Sequence, residues 1–497
     1  MERNISFPFS LKSVDTHIVF REMKKIVLIV ELLFSAGAAT GQTNISLQSV
    51  SNVALPSNSA PSELVVLDIN HDSRADLAIA QGGVNSIAIY RQDISGGFAN
   101  PAVIYPVGTS PSGLVATDLD YTGAVDDLIA ICKGDGSFYA LTNSNQPSGA
   151  LTVGPTNYYY GPDPGTNPRI AVGYIDRDTR PDLLVGLTNN LPGMVSWNYQ
   201  GLGNWVNHGL ARTNAPISSV LIQDLDGDSF ADIAAALPST SQVKVFRHDG
   251  TNGAFPYLLS MGSPVLVPTV GLGPVDVVAV DINQDSRPDL LTANADDNTV
   301  SLLLGTGGAR FGAAILVSQS AAPRRVLAAD LNGDRRPELL TINADNTLNV
   351  YENTGLSGPN RFSTPLTLPT GLNPIAMRVA DFNGDGKLDV AVACAGDNTV
   401  RLYYNATALS NKASSAQAMF SIFPNPASNE VRIQLKSGAV PNLTSSASIY
   451  DLAGRLLTTQ VLRSSSGSLN VEALPRGVYI LCIANGNYTY SKRLVLN

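Results

Sequence analysis

A ten-residue acidic motif recurs seven times along this chain, at a spacing of about fifty residues. DINHDSRADL begins at Asp68, DLDGDSFADI at Asp224, DINQDSRPDL at Asp281, DLNGDRRPEL at Asp330 and DFNGDGKLDV at Asp381. Two weaker copies fill the gap: DLDYTGAVDDL from Asp118 and YIDRDTRPDL from Tyr174. A unit of this length cannot bury its apolar face alone, so it must stack on its neighbours in a closed ring or a solenoid.

Each copy has the same grammar. A Pro precedes a β-rich apolar run, as in PVDVVAVDI from Pro274, and the acidic loop follows. A second apolar run (DLLTANA, from Asp289), a polar turn (DDNT, from Asp296) and a third run (VSLLLGT) come next. A Gly-rich turn then leads to a Phe (Phe98, Phe255, Phe311 or Phe362) and a fourth run. Four short strands per repeat read as a propeller blade. No segment has a 3.6-residue apolar period, which disfavours an α-solenoid. A charged fraction of 15%, with 43 Gly and 30 Pro, suits many short strands joined by turns. The seventh copy stops after its third run, RLYYNA from Arg401. A candidate for the missing strand is ISLQSVSNVALP, from Ile45, ahead of the first loop. The N-terminal strand is therefore expected to complete the seventh blade of a propeller spanning 42–406, hiding a sheet edge.

Five loops carry side-chain oxygens at positions one, three, five and nine. These are Asp68, Asn70, Asp72 and Asp76; Asp224, Asp226, Asp228 and Asp232; Asp281, Asn283, Asp285 and Asp289; Asp330, Asn332, Asp334 and Glu338; and Asp381, Asn383, Asp385 and Asp389. Hard oxygens alternating along a tight loop suit calcium, with a backbone carbonyl from position seven and a carboxylate from position nine. Gly at position four or six lets the backbone fold around the ion. An EF-hand would need Glu at position twelve, where Val392 and Ala235 stand, and helical flanks. The third copy keeps Asp176, Asp178 and Asp182 but has Tyr174 in first place. The second has Thr122 at position five and an extra residue before Asp127, so it is expected to be empty or weak. The expectation is five or six calcium ions. More than half of the 41 acidic residues lie in these loops, where they repel one another without cations. Asp and Asn are also ordinary turn formers; recurrence at one period in five copies favours the metal.

This pattern, DxNxDxxxDL at about fifty residues, resembles the FG-GAP or VCBS repeat family over residues 43–406. The resemblance implies an integrin-α-like propeller with calcium in a hairpin loop of each blade. The second and third copies depart from the pattern at the positions named above.

The ends of the chain carry addresses. From Met23, MKKIVLIVELLFSAGAATGQ has a basic start, an apolar stretch and small residues before Gln42, so 23–41 reads as a secretory signal peptide. Residues 1–22 precede an ordinary signal, and Met23 is the expected start. A small, polar linker covers 407–417. Residues 418–497 alternate apolar runs with turns, as an Ig-like β-sandwich does. Pro424-Asn425-Pro426, Asp451-Leu-Ala-Gly454-Arg455, Leu474-Pro-Arg-Gly477-Val-Tyr479 and the Lys492-Arg493-Leu-Val-Leu tail resemble the type A sorting domain of the Bacteroidetes type IX secretion system. That resemblance implies outer-membrane passage by the type IX machinery, usually with cleavage of this domain. The fold class expected is all-β, a seven-bladed β-propeller followed by a small Ig-like β-sandwich.

A net charge of −9 argues against nucleic acid or anionic membrane as partners. No apolar run long enough to span a membrane follows the signal. Cys132, Cys394 and Cys482 are too few and too odd for a disulfide framework. HExxH, GxSxG and GxxxxGK[ST] do not occur, and His17, His71, His208 and His248 form no constellation. Tyr158, Tyr159, Tyr160, Trp197, Tyr199 and Trp205 cluster in copies two to four. They serve either inter-blade packing or an exposed stacking face for a ligand. The reading is a monomeric, secreted or surface calcium-binding propeller, a non-catalytic binding or adhesion module for a glycan or protein. The alternatives are a lyase-like polysaccharide-degrading propeller and a structural surface component.

Overall fold

A computed structural model describes residues 45–407 and 420–496, apart from 95, 144–148, 156, 159–167, 176–179, 188–192, 200, 202–203, 249–264, 269–270, 320, 426, 436–444, 451–455, 463–465, 473, 475 and 486–487. The expected signal peptide, linker and DLAGR motif lie outside the described residues. The fold is all-β; the described residues hold no α-helix and only two short 3-10 turns, Pro238–Thr240 and Gly358–Arg361.

Seven antiparallel sheets carry the repeats, one per copy of the motif. In sheet one, Pro61–Leu67, Asp76–Gln81, Ser86–Tyr90 and Val103–Pro106 pair in chain order. The first strands of sheets two to seven are Pro111–Thr117, Arg169–Gly173, Ser219–Gln223, Pro274–Val280, Pro323–Ala329 and Pro374–Ala380. Sheet seven takes its fourth strand from the other end of the repeats: Leu47–Ala54 pairs antiparallel with Thr399–Asn405. The sequence supplies only three strand-forming runs for that copy, so its edge would otherwise stay open.

The second strand of every sheet is buried at all six positions, as in Asp76–Gln81 and Asp389–Cys394. A strand alternates its faces, so complete burial means that both faces are covered. Hence these runs are continuously apolar and not alternating. The covering layers are the neighbouring sheets. Leu67 and Ala78 of sheet one pack with Leu114 and Leu128 of sheet two. Leu77 and Tyr90 of sheet one pack on the other side with Ala391 and Leu402 of sheet seven. Similar apolar clusters join sheets two and three, three and four, four and five, five and six, and six and seven. Each first strand contacts the next, and Pro374–Ala380 contacts Pro61–Leu67. A central cavity of about 360 Å³ is lined by one or more residues of each first strand, among them Glu63, Ser112, Arg169, Ser219, Asp276, Arg325 and Met377.

The Phe residues of the repeat grammar serve these junctions. Phe98, Phe311 and Phe362 pack there, and Phe98 meets Phe382 edge-on at 6.3 Å. Phe255 is outside the described residues. Trp197, Tyr199 and Trp205 do the same: they pack around Phe138 between sheets two and three, with Tyr199 and Trp205 only 4% and 7% exposed. They form inter-sheet core and no stacking platform; Tyr159 and Tyr160 lie outside the described residues.

The C-terminal region has a three-stranded sheet (Phe420–Phe423, Glu430–Leu435, Ser466–Asn470) and a four-stranded one (Leu456–Leu462, Ser445–Tyr450, Gly477–Asn485, Tyr488–Leu496). Val431, Ile433 and Leu469 of the first share a core with Ile449, Leu481 and Leu494 of the second. Asn425 Oδ1 accepts from Val495 N at 2.8 Å, and Ala427 N donates to Val495 O at 2.8 Å. Asn425 and Ala427 thereby hold the terminal strand. Cys132 and Cys394 form no disulfide, and burial pushes their thiols up to about 12 and about 11.

Candidate metal centres

Each acidic loop joins the first strand of a sheet to the second, at the same end of every sheet. Position two is an apolar plug. Ile69, Leu119, Ile175, Leu225, Ile282, Leu331 and Phe382 are at most 3% exposed and enter the junction with the next sheet. That anchor fixes the loop, and burial of each contributes about 2 kcal/mol.

Position one gathers the loop. Asp381 Oδ1 accepts from Gly384 N at 2.7 Å, and Oδ2 from Gly386 N at 2.7 Å. Asp68, Asp118, Asp224, Asp281 and Asp330 accept likewise from backbone N–H groups three to five residues on. Position three accepts from the N–H of position five: Asp226, Asn283, Asn332 and Asn383 do so at 2.8–3.1 Å. Position five accepts from position seven, as Asp72, Asp228, Asp285, Asp334 and Asp385 show. These successive turns gather the loop side chains, and some second oxygens meet arginines: Asp72 Oδ2 lies 2.7 Å from Arg74 Nη1, Asp226 Oδ2 meets Arg247 and Asp334 Oδ2 meets Arg336. Positions four and six are both left-handed, at Gly384 (φ 76) and Gly386 (φ 80) but also at Gln284 (φ 64) and Ser286 (φ 65). The loop therefore needs that backbone twice, and glycine only eases it.

Position nine is different. Asp76, Asp127, Asp182, Asp232, Asp289, Glu338 and Asp389 open the second strands and are at most 1% exposed. Asp389 Oδ2 accepts from Phe382 N at 2.9 Å, and Oδ1 from Asn405 N at 2.7 Å. Asp76, Asp127, Asp232 and Asp289 bridge the same two places, clamping loop to third strand. Burial, reinforced by the other loop carboxylates, pushes Asp76, Asp127, Asp232 and Asp389 up to about 6 and Glu338 up to about 8, against the lowering effect of those N–H groups. Burial makes their charged forms costlier than in water, and a cation beside them would offset that cost.

A partner of this clamp escapes a motif-by-motif reading. Near the end of the third strand, sixteen residues past position nine in most copies, stands Gln92, Asn143, Asn198, His248, Gly305, Asn353 or Asn405. Asn143, Asn353 and Asn405 donate from Nδ2 to the position-two carbonyl of the preceding sheet, Ile69, Ile282 and Leu331, at 2.7–3.0 Å. Gln92 of sheet one donates in the same way to Phe382 of sheet seven. The recurrence of a polar residue at this offset is the sequence signal for it.

Among the described residues two loops bring three carboxylates together: Asp118, Asp120 and Asp127, and Asp224, Asp226 and Asp232, with one oxygen of each within 4.8 Å of the others. Oxygens on opposite sides of one calcium lie about 5 Å apart, twice a 2.3–2.6 Å bond. The donor set therefore fits. In loop one, Asn70 Oδ1 is buried without a hydrogen-bond partner, an acceptor left over for a cation. The second loop, expected to be empty or weak, thus assembles one of the two three-carboxylate groups found among the described residues. The extra residue does not displace position nine. Asp126 turns aside and accepts from Asn143 Nδ2 at 2.8 Å and meets His71 Nε2 of the preceding loop at 3.0 Å. Asp176 and Asp178 lie outside the described residues; Asp182 holds its clamp place, accepting from Ile175 N at 2.7 Å.

The clamp makes a distinction between positions. Asp389→Ala leaves two buried N–H groups without an acceptor, at about 1–3 kcal/mol each. It should cost about 4 kcal/mol in urea unfolding even in chelator. Asp385→Ala should cost no more than about 1 kcal/mol in chelator, yet lower the bound calcium by one ion. Equal losses for the two variants in chelator would refute the clamp.

An FG-GAP-like repeat family matches residues 224–292, 281–341 and 330–392, and a secretion system C-terminal sorting domain matches 421–497. No curated protein matches the sequence. Among solved structures, a functionally unknown protein from Desulfotomaculum acetoxidans DSM 771 aligns at 10% identity and TM-score 0.45, covering 77% of this chain and 94% of that one. An Agrocybe aegerita lectin specific for non-reducing terminal N-acetylglucosamine aligns at 14% and 0.43, covering 78% and 93%. The chain thus carries FG-GAP-like repeats followed by a secretion system sorting domain, which directs it through type IX secretion to the cell surface or extracellular space.

Proposed function

We propose that the repeats form a closed seven-bladed β-propeller with calcium in five or more of its acidic loops, that residues 418–497 form an Ig-like sandwich, and that the propeller is a binding module for an extracellular glycan or protein. The observation that carries the ring is the contact of the last first strand, Pro374–Ala380, with the first, Pro61–Leu67, together with the shared apolar cluster between those two sheets. The calcium reading is supported by the two groups of three converging carboxylates, the unpartnered Asn70 Oδ1 and the buried carboxylates at position nine. Calcium here is structural: it neutralises the loops and holds them against the junctions. The propeller then presents its surfaces on a rigid frame. Elemental analysis of the purified, calcium-equilibrated protein should give five to seven ions per chain; one or none would overturn the metal assignment. A glycan array and pull-downs in calcium test the binding role, and the absence of any ligand in both would count against it.

A further inference from the structure

The end of the sheets opposite the acidic loops holds a second cavity whose charged lining is basic. There the first strands begin, and the cavity, of about 650 Å³, opens among Lys133, Arg169, Arg324 and Arg325, continuous in its lining with the central cavity. Two carboxylates sit deeper, and both are taken. Glu63 receives Arg378 at 3.0 Å and Arg325 at 3.4 Å. Asp276 accepts from Ser219 Oγ at 2.9 Å and Val326 N at 3.0 Å.

Arg169 has no carboxylate. Its Nε donates to Ser218 O at 2.6 Å, and its two Nη groups have no partner among the described residues. The nearby charge of Arg325, with burial, lowers it to about 10, so it stays protonated at neutral pH beside a second guanidinium. Ser112, which lines both cavities, is 7% exposed, and its Oγ has no hydrogen-bond partner. A buried hydroxyl without a partner is costly unless something accepts from it, and the guanidinium fork of Arg169 lines the same cavity. A chain with net charge −9 has no general excess of cations to place there. The acidic loops lie a first strand away, roughly 20 Å for seven residues, beyond the Debye length of about 10 Å; at the near end Asp135, Asp297 and Asp397 accept from the N–H groups of Thr109, Leu272 and Leu372 at 2.8–3.1 Å and are absent from the cavity lining.

The geometry points to an anion site at this mouth. It takes one carboxylate or sulfate group, of the kind an acidic sugar carries, with Arg169 as the fork and Ser112 as a further donor. Guanidinium pairs with such planar or tetrahedral oxyanions through two parallel hydrogen bonds. The inference rests on the binding-module reading and names the class of its ligand.

Calorimetry on the calcium-loaded full chain at fixed ionic strength, with sodium glucuronate, sodium sulfate and glucose, tests it. Saturable binding of the anions but not glucose is expected, weakened tenfold or more in Arg169→Gln. Tighter glucuronate than sulfate identifies the sugar acid as the source; equal affinities identify a free oxyanion, and both support the site. Arg324→Gln, at the outer rim, should weaken binding severalfold and carries the test if Arg169→Gln does not fold. No saturable anion binding, or unchanged affinity in both variants, would overturn the inference. A neutral glycan retained on an array by Arg169→Gln overturns it while leaving the binding module standing; an array without any ligand removes that broader reading.

Discussion

Chelation should lower the melting temperature of this protein by roughly 15 °C, and added calcium should restore it. One ion at a hundred times its dissociation constant contributes about 2.7 kcal/mol. Five such ions contribute on the order of 13 kcal/mol, which for a repeat region of this size corresponds to that shift. The effect should exceed what the loops alone suggest, because each loop is anchored at position two in the next junction. A loop opened by repulsion withdraws Ile69 or Phe382 from the apolar cluster it shares with the neighbouring sheet. Calorimetry in excess chelator and in millimolar calcium decides the matter. Coincident curves would remove calcium from the account. Magnesium should restore less, because the loops offer more oxygens at looser geometry than its octahedral shell accepts.

Deleting residues 45–55 should destabilise the repeats by at least about 6 kcal/mol, since Ile45, Leu47 and Leu55 are each buried and contribute about 2 kcal/mol apiece. The larger consequence is the edge it leaves. Thr399–Asn405 would lose its antiparallel partner from Leu47 to Ala54, and an unpaired apolar strand recruits other chains. The expected product is aggregated, with a melting temperature at least about 7 °C lower in any soluble fraction. A soluble monomer melting at the native temperature would show that the strand is dispensable and that the seventh sheet is complete with three. Supplying the segment as a separate peptide should recover part of the loss.

The two experiments probe different bonds of the same frame. Chelation tests the loop ends of the sheets, whereas the deletion tests the outer edge of one sheet. Position nine stands between them. Its carboxylates clamp loop to third strand, and the neighbouring Asn or Gln reaches back to the preceding sheet, so a local acidic motif is also an inter-sheet fastener.

Much of this was legible in the residues. The seven acidic loops, the four apolar runs between them and the truncated seventh copy fixed an all-β repeat and placed its candidate ligands. They did so because turn chemistry and strand length are local properties, written again in each copy. The C-terminal motifs were equally local. Other features depended on which residues meet. Asp127 keeps its place because Asp126 finds His71 across a junction, so the loop judged weakest by spacing assembles three carboxylates. Trp197 and Trp205 fill an inter-sheet core, although aromatic residues in a cluster read equally well as a ligand face. The basic mouth is the clearest case: Lys133, Arg169 and Arg324 stand far apart in the chain, and no local pattern marks them. The sequence by itself determined the repeat, the strands and the acidic loops, because these follow from short-range chemistry. Only the tertiary structure decided which carboxylates clamp backbone and which converge in threes, and that Lys133, Arg169, Arg324 and Arg325 line one cavity, because both depend on how separate sheets converge.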